Sequence, residues 1–510
     1  MANVVDFEYT GKEAVPKNVT NVRIHPTVSE IDDGAFTGCS NMKEVVFNEG
    51  LYKIGKRAFH DCSSLKSINI PSTLTEICDR AFTHCINLRK IVLSEGLQMI
   101  GECAFSGCRS LESINMPSSL TELGVSAFYN CKNLRDVVLN EGLKRIQKRV
   151  FTCCSSLSVI NIPSTVSEVE EEAFKNCKQV REVVLNEGLN KIGTNAFSDC
   201  TALESINLPS TLTELSTQAF YDCSNLRDVG LNEGLQKIGK LAFAHCSSLE
   251  SINIPSTIEE VVSQAFYHCH NLKGVVLNKG LQKIGENAFY CCESLESINL
   301  PATVTEISTG VFRFCENLRE AVLNEGLQKI GPNAFYKCSS LLSITLPSTV
   351  SKIDDQAFYN CKNLREIVLR GVGPEEIGWD IFTGCLGLEC FKYSTISARL
   401  EAIIEAGYTE VERKTDDIYA GMAWTIERRG AEISIPYLSD ASWRGMRATL
   451  DKIVALIAYY EVKDATTVFE LALWKAKMGQ AQDNPAAADR DTYRIDVPGP
   501  VKDTILQYLR

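Results

Sequence analysis

Cysteine offers the most chemistry in this chain, and its spacing decides what that chemistry is. There are 21 cysteines in 510 residues. Sixteen form a column that starts at Cys39 and Cys62, advances by 23 residues to Cys361, and ends at Cys385 after a step of 24. Cys78, Cys103, Cys153, Cys291 and Cys390 lie off it. An even set in a short secreted chain would read as a disulfide framework; here the total is odd and the chain is long. If each repeat is one rung of a stack spaced at about 4.8 Å, column cysteines project in parallel, farther apart than the roughly 3.8 Å Cβ separation of a bridge. The column is expected to hold buried free thiols acting as small hydrophobes.

The six histidines are His25, His60, His84, His245, His268 and His270. No His-Glu-x-x-His or Cys-x-x-Cys occurs. A structural zinc takes four ligands, and one cysteine column offers two sulfurs on a side, so neither a metal nor a cofactor is expected. The adjacent pairs Cys153-Cys154 and Cys291-Cys292 have poor geometry for a shared ion. Gly371-Val372-Gly373-Pro374 lacks the Lys-Ser/Thr of a phosphate loop. Carboxylates on neighbouring repeats are ladders of repetition, not an isolated pair with separated environments. No catalytic residue stands out, and the chain is not expected to be an enzyme.

The elements that position these residues follow from the same period. Each column cysteine lies three residues after a phenylalanine, from Phe36 to Phe382. A period of 20–30 residues is the signature of a solenoid, whose rungs bury their apolar faces only by stacking. Within a rung, Leu65-x-x-Ile68-x-Ile70 ends with the alternation of a short strand in a parallel sheet. After a turn come Leu74-x-x-Ile77 and Ala81-Phe82-x-x-Cys85, where spacings of four and then three to Leu88 predict a short helical or 3₁₀ turn on the opposite side. A second period of 46 alternates Ile-Asn-Ile-Pro-Ser-Thr rungs (Pro71, Pro117, Pro163) with Val-Val-Leu-Asn-Glu-Gly rungs (Gly96, Gly142, Gly188). This reads as a duplicated double unit. Residues 1–20, in which Val4, Phe7 and Tyr9 alternate with polar positions, are read as a capping edge strand, and residues 21–391 as sixteen repeats. An insertion at 370–374 precedes the last rung. Residues 392–510 are read as a small, mostly helical C-terminal domain, with helices over 396–406, about 446–460, 466–478 and from Pro500 on, and a strand at Ile433-Ser434-Ile435.

The pattern Leu-x-x-Ile-x-Ile-Pro-x-x-Leu-x-x-Ile-x-x-x-Ala-Phe-x-x-Cys resembles the BspA-like, or Treponema-type, leucine-rich repeat over about 370 residues. The Pro-Ser-Thr/Asn-Glu-Gly alternation, the entry segment Val15–Arg23 and Trp474-Lys475-Ala476-Lys477 look most like the expanded set in diatoms and related algae. The resemblance implies an α/β leucine-rich-repeat solenoid, with a parallel sheet on its concave face, that mediates protein interaction. It implies no shared catalytic residue.

The charge balance narrows the partner. Against 64 acidic residues there are 52 basic ones, a net charge of -12, which disfavours nonspecific binding to nucleic acid or anionic lipid. No apolar run is long enough to span a membrane. Residues Met1–Phe7 show neither the basic flank nor the apolar stretch of a secretory signal, so a cytoplasmic location is expected. On the strands, residues alternating with the core should line the concave face. One row holds Val92, Val138, Val184, Val276 and Val322 interleaved with Asn115, Asn161, Asn207 and Asn253. Beside it runs an acidic row, Asp136, Glu182, Asp228 and Glu320. These rows are the expected docking surface for a protein partner. Two other readings are a cell-surface adhesion protein, which glycan at Asn18 would favour, and an effector whose activity lies in the C-terminal domain.

Overall fold

The 23-residue period becomes geometry through three ladders that run side by side along the repeats. A computed structural model of the chain describes residues 5–11, 13–369, 372, 376–388, 390–393, 425–427 and 432–436. The first ladder is the expected parallel sheet of three- and four-residue strands, from Asn21–Ile24 through Ser113–Asn115 and Asp136–Val138 to Glu366–Leu369. Partners stand one repeat apart, Ser113 opposite Asp136 and Asn115 opposite Val138. In the three-residue strands the middle residue points inward, as Ile114 does, and its neighbours face solvent, and Ile160 is likewise buried between exposed Val159 and Asn161. This is the alternation of a strand with one buried face.

Behind the strands lies the apolar interior. Ala81, Phe82, Cys85, Leu88, Leu97 and Ile100 are all fully buried, and the phenylalanine and cysteine positions are buried in every rung from Phe36 to Cys385. The sixteen phenylalanines make one continuous stack, with ring centroids 4.9 to 5.9 Å apart. Their planes stay within 1° to 23° of parallel. Offset stacking of this kind adds roughly 0.5–1.5 kcal/mol per pair beyond area burial. The stack ends on Tyr9, whose ring meets Phe36 edge-on at 5.0 Å. Tyr9 belongs to the strand Asp6–Tyr9, which pairs in parallel with Asn21–Ile24 and supplies the expected edge strand; Val4 lies outside the described residues.

The second ladder was not foreseen. Two-residue strands at Glu30–Ile31, Lys53–Ile54 and Glu76–Ile77 pair in parallel, and the series continues to Lys352–Ile353. Their outward positions alternate in sign over much of the series, broken at Met99 and at the successive Lys329 and Lys352, so Lys53 reaches Glu30 at 3.6 Å and Glu76 at 3.7 Å. Exposed pairs of this type contribute about 0–1 kcal/mol each.

The third ladder replaces the predicted helical or 3₁₀ turns. Among the described residues there is no α-helix. Around Phe82, alternate amides donate to the next rung: Arg80 N–H to Glu102 O at 2.7 Å, Phe82 N–H to Ala104 O at 2.7 Å and His84 N–H to Ser106 O at 2.8 Å. The amides between them, of Ala81, Thr83 and Cys85, close turns onto residues three back. A helix would keep all of these bonds within one rung. Here half are spent between rungs, which requires left-handed backbone at two positions per rung, Arg80 (φ 58°) and His84 (φ 61°) in this one.

The repeats form one compact unit that ends at Leu388, and a second unit contains the remaining described strands. In that unit Glu432–Pro436 pairs antiparallel with Cys390–Tyr393 and with Thr425–Glu427. The expected strand at Ile433-Ser434-Ile435 falls within Glu432–Pro436. What is described of the tail is these three antiparallel strands; the helices expected over 396–406, 446–460, 466–478 and from Pro500 on lie outside the described residues.

Candidate interaction surface

Each expected surface residue stands at the first or last position of a three- or four-residue strand, or beside its last, where the pleat turns its side chain away from the core. Val92, Asp136, Val138, Glu182, Val184, Asp228, Val276, Glu320 and Val322 are all exposed, as are Asn115, Asn161, Asn207 and Asn253. The ladder interleaves them: Asn115 opposes Val138, Asn161 opposes Val184, Asn253 opposes Val276, and Asn299 opposes Val322. Exposure of the valines runs from 37% at Val184 to 56% at Val276, which is high for an apolar side chain repeated in register.

Two interruptions divide the rows. Gly230 replaces valine, and a Cβ there would lie 2.7 Å from Asn207 Oδ1. Gly274 replaces the acid. At the end of the row, Val368 is buried, so it belongs to the core rather than to this surface. The asparagines are partly committed to structure, since Asn161 Oδ1 accepts from Asn186 Nδ2 at 3.2 Å. The sequence reading missed a mixed-charge column beside the acids: Arg135, Arg181, Arg227 and Arg319 immediately precede Asp136, Glu182, Asp228 and Glu320, while Glu112, Glu204, Glu250 and Glu296 hold the same position in neighbouring rungs, and all eight are exposed. The adjacent sequence positions were the available signal. The face therefore presents an apolar and amide row with carboxylates beside it, and the exposed mixed-charge column stands just before the strands begin.

The cysteine column is chemically quiet. The thiol of Cys85 donates to the Phe59 carbonyl at 3.2 Å, and the same bond recurs in each rung, from Cys62 to Phe36 (3.2 Å) through Cys385 to Phe358 (3.0 Å). Burial pushes the Cys131 and Cys200 thiols up to about 12, far from the thiolate that nucleophilic or redox chemistry uses. Off the column, Cys291 is pushed up to about 11, again chiefly by burial. The twenty cysteines from Cys39 to Cys385 are free thiols.

Histidines and aromatics gather on the turn ladder, at the two variable positions between Phe and Cys. His245 and His268 stack at 5.0 Å, and Tyr267 stacks on Tyr290 at 4.8 Å. Arg313 lies over the Tyr336 ring at 4.5 Å. Burial lowers the His268 pKa. At the other end of the same ladder His60, Asp61 and His84 converge, a grouping that comparing positions 23 apart would have revealed.

A right-stacked array of short parallel strands with a leucine-, phenylalanine- and cysteine-lined interior defines a leucine-rich-repeat solenoid. The chain belongs to the family described as the BspA type leucine rich repeat region, whose model matches residues 15–135, 76–204, 144–273, 190–319 and 282–403. Among solved structures it is similar to a leucine-rich repeat protein from Bacteroides ovatus, with 28% identity, 72% of this chain and 86% of that one covered, and a TM-score of 0.49. A T. pallidum leucine rich repeat protein gives 27% identity over 39% of this chain and 81% of that one, with a TM-score of 0.29. A leucine rich cell surface protein from Faecalibacterium prausnitzii gives 22%, covering 76% and 82%, with a TM-score of 0.25. No curated protein matches the sequence. Among the described residues, no helix is long and apolar enough to cross a membrane.

Proposed function

We propose that the solenoid is an intracellular scaffold that binds a protein partner on its strand face, with the valine row as the apolar anchor and the carboxylate row and the mixed-charge column beside it as the selective rim. The observation that carries this reading is the run of exposed valines in register, Val92, Val138 and Val184 on one side of Gly230 and Val276 and Val322 on the other. A contiguous exposed apolar row rimmed by polar groups marks an interaction site, and charged rims choose the partner.

The test is affinity capture from a native lysate with two baits: the intact chain, and one carrying Val138→Lys, Val184→Lys, Glu182→Lys and Asp228→Lys. Circular dichroism establishes that both are folded. A partner held by the first and released by the second supports the strand face. Identical partners on both baits would remove it as the working surface.

A further inference from the structure

We propose that His60, Asp61 and His84 form a zinc-class divalent cation site that clips two neighbouring rungs. Among the described residues this is the one place where three potential ligand atoms converge, all within 4.8 Å of one another. His60 Nδ1 stands 3.0 Å from Asp61 Oδ2, and His84 Nδ1 stands 3.2 Å from Asp61 Oδ1. A tetrahedral zinc with bonds near 2.0–2.1 Å sets its ligand atoms about 3.3 Å apart; the two histidine–aspartate spacings, each to a different carboxylate oxygen, are already close to that, and the two histidine ligand atoms lie within 4.8 Å of each other. Two imidazole nitrogens and one carboxylate oxygen suit zinc and its neighbours better than calcium or magnesium, which take oxygen donors. Asp61 is 53% exposed and His84 58% exposed, which leaves solvent to complete the coordination.

The backbone presents this set. Asp61 and His84 occupy the same position in successive rungs, both left-handed (φ 60° and 61°). Their amides are tied to the next rung, Asp61 N–H to Thr83 O at 3.0 Å and His84 N–H to Ser106 O at 2.8 Å. Glycine flanks the pair at that position on both sides. At Gly38 an added Cβ would meet nothing within 4 Å, so one side is open. At Gly107 it would lie 2.6 Å from His84 Cδ2. The far edge of the His84 ring therefore rests over Gly107, while its Nδ1 edge faces Asp61. A side chain at 107 would push the ring out of the set. No cysteine takes part.

The experiment is a calorimetric titration of the full chain with Zn²⁺ alone, repeated on His60→Ala, His84→Ala and Gly107→Ala and paired with a Co²⁺ absorption spectrum. One saturable equivalent is expected, weakened at least about tenfold in each histidine variant, because even outer-shell partners of a metal ligand are worth 10–100-fold. Gly107→Ala, which removes no ligand, should weaken it too. Zn²⁺ should raise the melting temperature of the wild type by mass action and leave that of His84→Ala unchanged. The proposal is overturned if binding is not saturable, if His84→Ala binds as the wild type does, or if Co²⁺ shows the intense near-ultraviolet band of thiolate ligation.

Discussion

Glu187 holds Ser210, one repeat away, by both of its donors: Oε1 accepts from the backbone N–H at 3.1 Å and Oε2 from the hydroxyl at 2.9 Å. Glu95–Ser118, Glu141–Ser164 and Glu325–Ser348 repeat the clasp at 46-residue intervals, allowing for skipped steps. The double unit is thus a device in which an Asn-Glu-Gly turn grips the Pro-Ser-Thr turn that follows it. At the one step where the acid is replaced, by Lys279, the serine is replaced as well, by Ala302. Lys279→Glu together with Ala302→Ser should raise the thermal midpoint by more than the sum of the two single changes. A double-mutant cycle measures that coupling, and strict additivity would show that the hydroxyl arm of the clasp contributes nothing.

The same clasps make stability depend on acidity. Glu95 is held below the ordinary glutamate range first by the Ser118 hydroxyl, and Glu141 and Glu187 first by the Ser164 and Ser210 backbone N–H groups. A carboxylate depressed in the folded state contributes stability in full above its unfolded value, about 4.3, and loses it as pH falls through the folded value. Denaturant midpoints should therefore drop between neutral pH and pH 3. The triple variant Glu95→Gln, Glu141→Gln, Glu187→Gln should start lower and show a shallower drop. Parallel curves for the two proteins would rule the clasps out as the acid-labile element.

Thiol reactivity should divide by ladder. The column thiols are buried and donate to phenylalanine carbonyls, whereas Cys103 and Cys153 are partly exposed. At pH 8 an aromatic disulfide reagent should modify Cys103 and Cys153 first, with the column reacting only on unfolding. Cys200→Ala removes the donor to the Phe174 carbonyl and leaves a small void, at a cost of about 1–3 kcal/mol. Mass spectrometry of the partly labelled protein identifies the sites; early labelling of Cys200 would contradict the packing.

How far the fold could be read from the sequence depended on which force left a periodic mark. Burial did: Phe82, Cys85, Leu88 and Ile91 recur because every rung fills the same interior, and the outward Val138 and Asn115 follow from strand alternation. Backbone hydrogen bonding did not. Glu76-Ile77 is too short to show alternation, so the second ladder was invisible. Ala81, Cys85 and Leu88 carry helical spacing because a tight turn and a helix bring similar positions inward. Left-handed backbone would normally announce itself through glycine, yet Arg80 and His84 stand at those positions in this rung. The Asp61–His84 pairing lies across a repeat, so motifs sought along the chain could not reveal it.

That ambiguity between helix and turn ladder has a direct mutational test at Gln218. Its φ is 57° and its amide donates to Lys240 O at 2.9 Å in the next rung. In left-handed backbone glycine carries no Cβ penalty, whereas a side chain costs roughly 1–2 kcal/mol and a β-branched one is a sharper outlier. Gln218→Gly should therefore be close to neutral, the relief of strain offsetting about 0.5–1 kcal/mol of added chain entropy, and Gln218→Val should destabilise by about 1 kcal/mol or more. In a helix the order reverses, because glycine is then the worse residue at about 1 kcal/mol below alanine and valine costs less. Equilibrium denaturation of the two variants gives the order without a structure. Valine falling below glycine places the inter-rung hydrogen bonds, rather than helical propensity, in control of this side of the solenoid.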